Sequence, residues 1–301
     1  MQKAPPTPKG FRDINPALAK KRRVVIGQIA EVLETNGFEP LETPTIEFAD
    51  TLTGKYGEEE KLIYKFTDRG GRDLALRYDL TVPLARYIAT YNPPLPFRRY
   101  QVGQVFRGEN PQHGRYREFT QFDFDTVGSS DVEEDANIIA TSISAIRKIG
   151  LTKAVILIND RKNFEEVPID VIRAVDKLHK IGEEGIKEEL KAKNMAQDDI
   201  ENHLFKIKNA KPTENLSQII NILKEKYQLK VGSDFAFDPT LARGLDYYTG
   251  AIFEIKPSSN PADLTIGSGG RYDNLIGMLS KKPTPAVGFS FGIDRIVDLI
   301  S

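Results

Sequence analysis

The sequence predicts an α+β fold in which a strand-rich unit is interrupted by a mainly helical block. Three observations carry that prediction. Residues 97–125 read as two strands joined by a polar loop in which Gly108, Pro111 and Gly114 break regular structure. Residues 168–227 are rich in Lys and Glu at helical spacing, with few strand signals. Strand patterns then return at 250–255, 264–267 and 286–291. The expected division is 1–158 and 233–301 for the two parts of the strand-rich unit, with 159–232 as the insertion.

Taken in order, Pro16 opens a helix with Leu18, Val25, Ile29, Val32 and Leu33 on its apolar stripe, and Gly37 ends it. An extended piece with Pro40 and Pro44 follows. Residues 64–66 and 74–77 form a hairpin around Asp68-Arg69-Gly70-Gly71. Residues 81–91 are a helix capped by Asp79 or Thr81, with Pro83 in its first turn. Residues 131–149 are another, with Glu133, Glu134 and Asp135 at its positive end. Residues 155–158 read as a buried strand, and a last helix starts near Gly292.

Composition narrows the chemistry. The 301 residues are 40% hydrophobic and 28% charged, as in a soluble globular chain, and the net charge of -1 supplies no global field for nucleic acid. The chain has no cysteine, which excludes thiol nucleophiles and thiolate metal sites. Its three histidines are scattered, so no metal site with dedicated protein ligands is expected. No apolar run approaches the ~18 residues of a membrane span, and a cytoplasmic location is expected.

Four stretches carry the chemistry. The 97–125 segment holds Arg98, Arg99, Arg107, Arg115 and Arg117 and no lysine. Planar guanidinium forks grip phosphate or carboxylate bidentately. On its second strand Phe119, Gln121, Asp123 and Asp125 share one face by the two-residue period, a surface suited to a small cationic ligand, and Thr120, Phe122 and Phe124 share the other. In LARGLDYY, Arg243 stands beside Gly244, and Tyr247 and Tyr248 point to opposite faces if extended. GSGGRYD, 267–273, reads as a tight turn or a close-approach site, and fits neither the P-loop nor the dinucleotide fingerprint. GFSFGIDR, 288–295, runs from a strand into a helix whose first turns carry Asp294 and Arg295.

In this order, these stretches resemble the class II aminoacyl-tRNA synthetases, and among them the histidyl-tRNA synthetase family. Residues 24–44 look like motif 1, which builds that family's dimer interface, 97–125 like motif 2 and 288–295 like motif 3. LARGLDYYTG and GSGGRYD are similar to the two histidine signatures, and YDLT at 78–81 to another piece of the amino-acid pocket. The resemblance implies an antiparallel sheet flanked by helices. It implies an enzyme that makes histidyl-adenylate and pyrophosphate from histidine and ATP, with Mg2+ carried on ATP. The enzyme then transfers histidine to tRNA(His), and works as a homodimer.

By the same resemblance Arg107 would hold the α-phosphate and substrate carboxylate, and Arg115 and Arg295 the outer phosphates. Phe119 would stack on adenine, with Arg295 covering its other side. Asp79, Thr81 and Gln121 would receive the α-ammonium, and Asp125 and Tyr248 would read the imidazole nitrogens. Tyr247, Gly269, Gly270, Arg271 and Tyr272 would line the pocket, and Arg243 would stand where other class II enzymes place a metal ion. Nothing here matches the family's anticodon-binding domain, so weakened transfer to tRNA is expected. The alternative is a non-catalytic regulatory subunit of ATP phosphoribosyltransferase. Such paralogues also lack that domain but commonly lose the arginine signature and the insertion, both present here. A third reading, a sensor of uncharged tRNA, also implies a decayed pocket.

Overall fold

A computed structural model of the chain describes residues 5–111, 114–243, 247–258 and 264–300. Asn15 caps α1 (Pro16–Thr35), its side chain accepting from the Leu18 N–H. Then come β1 (Glu39–Pro40), β2 (Ile46–Phe48), the single turn α2 (Ala49–Leu52), β3 (Lys65–Thr67), β4 (Asp73–Leu76) and α3 (Thr81–Tyr91). The central hairpin is β5 (Phe97–Phe106) and β6 (Glu118–Val127), followed by α4 (Val132–Lys148), whose N-cap is Asp131, and β7 (Val155–Asp160). Helices α5 (Ile169–Val175), α6 (Leu178–Ala192), α7 (Gln197–Lys208) and α8 (Glu214–Glu225) precede β8 (Phe235–Phe237). The chain continues through β9 (Ala251–Lys256), β10 (Gly267–Arg271), the turn α9 (Gly277–Ser280), β11 (Ala286–Gly292) and α10 (Ile293–Leu299). Among the described residues no helix is long and apolar enough to cross a membrane.

The eight-stranded sheet has the order β1-β5-β6-β11-β10-β9-β7-β8, antiparallel except for its two edge pairs. A smaller antiparallel sheet, β2-β4-β3, stands beside it. The period of two divides the large sheet into a dry face and a wet one. Phe122 and Phe124 of β6, Phe253 and Ile255 of β9, and Phe289 and Phe291 of β11 join α1, α4, α8 and α10 in one core. Ile29 and Leu33 of α1 are fully buried there, each contributing about 1.5–3 kcal/mol. The opposite face carries Gln121, Asp123 and Asp125 of β6, Ser290 of β11 and Glu254 of β9.

The GSGGRYD stretch differs from the expected turn. Its first five residues are β10, inside the sheet, and the strand expected at 264–267 begins only at Gly267. Glycine is needed there for packing: a Cβ on Gly269 would lie 2.1 Å from the Gly288 carbonyl oxygen, and one on Gly270 would lie 2.6 Å from that of Ala251. The helical run between β7 and β8 divides by packing. α5, α6 and α7 form a core of their own with Leu241, Tyr248 and Ile252, whereas Leu216, Ile219 and Leu223 of α8 join the main core.

Candidate active site

The wet face of the sheet floors a cavity of about 370 Å3. Residues of β6, β9, β10 and β11 line it. From β6 come Phe119, Gln121, Asp123 and Asp125, the face expected from alternation. Loops and helix starts at the sheet's rim supply the rest, and the cavity gathers three buried aspartates, the arginines Arg107, Arg115 and Arg295, and the guanidinium of Arg243.

The three aspartates are Asp79, Asp123 and Asp125, each about 3% exposed. One oxygen of Asp79 caps α3, accepting from the N–H groups of Thr81 and Val82 and from the Tyr56 hydroxyl. Its other oxygen has no hydrogen-bond partner. Asp125 accepts from the Tyr272 hydroxyl and lies 2.7 Å from Nη2 of the fully buried Arg99. Gly288 makes room for it, since a Cβ there would meet Asp125 Oδ1 at 1.8 Å. Gln121 donates to Ser290 Oγ at 2.9 Å and leaves its own oxygen unpartnered. Burial raises the carboxyls of all three aspartates, with Arg99 opposing the rise at Asp123 and Asp125. Tyr247 and Tyr248 line the same cavity with ring centroids 4.8 Å apart.

The rim is cationic. Arg107 spans the rings of Tyr78 and Phe119, its guanidinium carbon 4.3 and 5.1 Å from their centroids. Arg295 donates to the backbone oxygens of Gly114 (3.1 Å) and Thr265 (2.8 Å), and Arg115 reaches Glu109 at 3.4 Å. Burial, then Arg115 and Arg107, lower the pKa of Arg295, and burial and then Arg115 lower that of Lys180. Crowded like charges of this kind favour an anion between them.

Arg243 lines the same cavity. Its Nη1 lies 3.1 Å from Glu254 and its Nη2 donates to Ser268 Oγ at 2.9 Å, so two partners fix the fork, while Nε has none. Its neighbour Gly244 lies outside the described residues, as do Gln112 and His113 of the 108–116 loop.

Thirteen of the expected site residues therefore border one space: Arg107, Arg115, Phe119, Arg243 and Arg295 along with Asp79, Thr81, Gln121, Asp125, Tyr247, Tyr248, Gly269 and Tyr272. Gly270 lies just behind the wall, its missing Cβ replaced by the Tyr248 ring at 2.8 Å. Arg271 is a correction. It points through the sheet to the helix side, where it donates to both carboxylate oxygens of the fully buried Asp135 and to the Ser129 carbonyl. Alternation explains this: Ser268 faces the cavity, so Arg271, three residues on, faces away. Residues without an expected role also border the cavity: Asp123, Glu254, and Asp176 and Lys180 from the helical run. Period two already put Asp123 on this face. Nothing local marks Asp176 or Lys180, because tertiary packing brings them there.

Comparison with known proteins follows this geometry. The family model described as histidyl-tRNA synthetase matches residues 10–197 and 186–296. The chain is 41% identical to the histidine–tRNA ligase of Aeropyrum pernix, over 98% of this chain and 74% of that one, and 39% identical to that of Korarchaeum cryptofilum, over 97% and 74%. Among solved structures, the histidyl-tRNA synthetase of Nostoc sp. PCC 7120 superposes with a TM-score of 0.82 at 28% identity, covering 98% of this chain and 75% of that one. A Bacillus halodurans protein titled ATP phosphoribosyltransferase regulatory subunit/histidyl-tRNA synthetase superposes with a TM-score of 0.81 at 26% identity, covering 100% and 84%.

Proposed function

This chain belongs to the histidyl-tRNA synthetase family, and from the layout of its cavity we propose that it activates histidine with ATP and passes the activated amino acid to tRNA(His) in the cytoplasm. One observation supports this most: a guanidinium held by Glu254 and Ser268 lines the same cavity as three buried aspartates and three further arginines. In the first step a histidine carboxylate oxygen bonds to the α-phosphorus. The bond from that phosphorus to the bridging oxygen breaks, and pyrophosphate leaves with the bond's electron pair. No proton moves and no protein nucleophile is needed. Charge grows on the α-phosphoryl oxygens, and Arg107 and Arg243, already fixed, stabilise it without reorganising.

The remaining roles follow the layout. Arg115 and Arg295 take the outer phosphates, whose charge Mg2+ arriving with ATP shares. Phe119 stacks on adenine, with Arg295 covering its other face. Asp79, Thr81 and Gln121 receive the ammonium, and Asp125 and Tyr248 read the two imidazole nitrogens. Tyr247, Tyr272, Gly269 and Gly270 shape the wall. In the second step a ribose hydroxyl of the tRNA end attacks the carbonyl carbon, the bond from that carbon to the AMP oxygen breaks, and AMP leaves with the electron pair and takes up the hydroxyl proton on its phosphate. Residues 159–232 are proposed as an insertion between the parts 1–158 and 233–301, and the motif 1 region as the homodimer contact.

Histidine-dependent exchange of pyrophosphate into ATP tests the first step. The expected outcome is exchange that requires histidine and is not supported by other amino acids. Folded protein without exchange would instead favour the regulatory reading, which the 26% identity to the Bacillus halodurans protein keeps in view.

A further inference from the structure

One buried cation on the wet face takes no part in either step. Lys256 follows Glu254 by two residues on β9, so the period of two puts both on the cavity side. Lys256 is 6% exposed, and its Nζ lies 3.0 Å from Glu254 Oε1 and donates to Thr265 Oγ at 3.2 Å. The Thr265 hydroxyl donates in turn to the same Glu254 oxygen. The other oxygen, Oε2, is the one that holds Arg243 Nη1 at 3.1 Å. Glu254 thus stands between two cations, with one carboxylate oxygen for each.

A desolvated ion pair is costly to build and often adds nothing to stability. An arginine paired one to one with a carboxylate also presents little net field to a phosphate. Lys256 changes that balance. Arg243 and Glu254 alone sum to zero, whereas with Lys256 the bonded set carries one net positive charge. The carboxylate, held at Oε1 by Lys256 and Thr265, offers Oε2 to the guanidinium in a fixed direction. Burial opposes ionisation of Glu254, but Arg243 and then Lys256 outweigh it and keep the carboxyl below its usual range. Asp176 and Lys180, which border the same cavity, act on each other with opposite sign and add no net charge.

Resting on the reading of this cavity as a nucleotide site, we propose that Lys256 is a positioning residue for Arg243: it compensates Glu254, so the carboxylate fixes the guanidinium fork while its charge stays available to the α-phosphate. The same set reaches the next arginine. Arg295 Nη1 donates to the Thr265 carbonyl at 2.8 Å, so the residue that holds Lys256 through its hydroxyl holds Arg295 through its backbone. Lys256 therefore acts on charge and geometry together, and the two are separable by experiment.

Calorimetric titration of the whole chain with AMP, and separately with adenosine, tests this without turnover, because the two ligands differ by the phosphate alone. Lys256→Met keeps an unbranched side chain and drops the charge. It is expected to weaken AMP at least fivefold and leave adenosine unchanged. In the exchange assay it should lower kcat at least tenfold with little change in the KM for histidine. Lys256→Gln, a second neutral variant, should behave likewise, and Lys256→Arg should keep both properties. Adding Glu254→Gln to Lys256→Met returns the set to one positive charge and should recover AMP affinity. A thermal melt of each variant shows that it is folded. A lysine that only packs predicts a lower melting point with AMP affinity unchanged. That result, or a double variant that binds AMP more weakly than Lys256→Met, overturns the proposal. A wild-type chain that binds AMP no better than adenosine removes the phosphate-site reading and this assignment together. A wild-type chain that prefers AMP, with Lys256→Met preferring it equally, removes this assignment alone.

Discussion

Arg243 owes its position to Glu254 on β9 and Ser268 on β10. A guanidinium fixed by two partners acts on developing charge, so Arg243→Ala should lower histidine-dependent exchange by two or more orders of magnitude. Its thermal midpoint should move little, since the side chain packs into no apolar core; an unchanged exchange rate removes Arg243 from the reaction. Asp123 gives a second prediction at this scale, on stability. Its carboxyl titrates at about 7 in the folded chain against 3.8 as the ordinary value. Between those pH values the native state holds more protons than the unfolded one, so stability falls as pH rises through the window and levels off above it. The slope is about 1.4 kcal/mol per pH unit. Urea unfolding of wild type and Asp123→Asn at pH 4.5, 6 and 7.5 should show this slope in the difference between them. At this scale the sequence was informative wherever the two-residue period applied, as for Phe119, Gln121, Asp123 and Asp125. Extending pocket lining to Arg271 overlooked the same period, and its partner Asp135 is 136 residues away.

Among elements, the segment before α1 has a part that its Pro and Lys content does not announce. The Gly10 carbonyl accepts from the Arg117 N–H at 2.9 Å, and Arg12 donates to the Tyr116 hydroxyl at 3.0 Å, lies over that ring, and pairs with Asp294. Asp294 also takes Arg22 and the Thr120 N–H. One short segment thus ties the loop after β5 to the start of α10, the two places that carry Arg115 and Arg295. Arg12→Ala is expected to raise the KM for ATP several-fold in the exchange assay while the KM for histidine changes less. Equal changes in both would mean general loosening instead. The glycines of β10 show a limit of sequence reading at this scale. Three glycines in four residues suit a turn as well as a tightly packed strand, and only the approach of β11 and β9 to within contact of their missing side chains selects the strand.

At the scale of the molecule, the β2-β4-β3 sheet presents apolar side chains outward. Ile46, Phe48 and Phe66 are 45%, 54% and 41% exposed, and Phe48 and Phe66 both register against Leu74, so they share a face. Val24 on α1, inside the motif 1 region, is exposed as well. Such patches are covered in stable assemblies. Sedimentation velocity should therefore find a dimer, and Phe48→Glu should shift it toward monomer; a wild-type monomer at micromolar concentration counts against the homodimer.

What the amino-acid order determined by itself was local: which residues of β6 share a face, where helices begin at Pro16 and near Asp131, and that guanidinium forks concentrate in one hairpin. These follow from periods of 2 and 3.6 and from capping chemistry, which operate within a few residues. Tertiary structure alone decided that β6, β11, β10 and β9 lie side by side. That order sets Arg243 against Glu254 and Ser268 and brings Asp123 and Asp125 to the floor of one cavity with them. Strand neighbours are chosen by burial summed over the whole sheet, a quantity no short stretch contains.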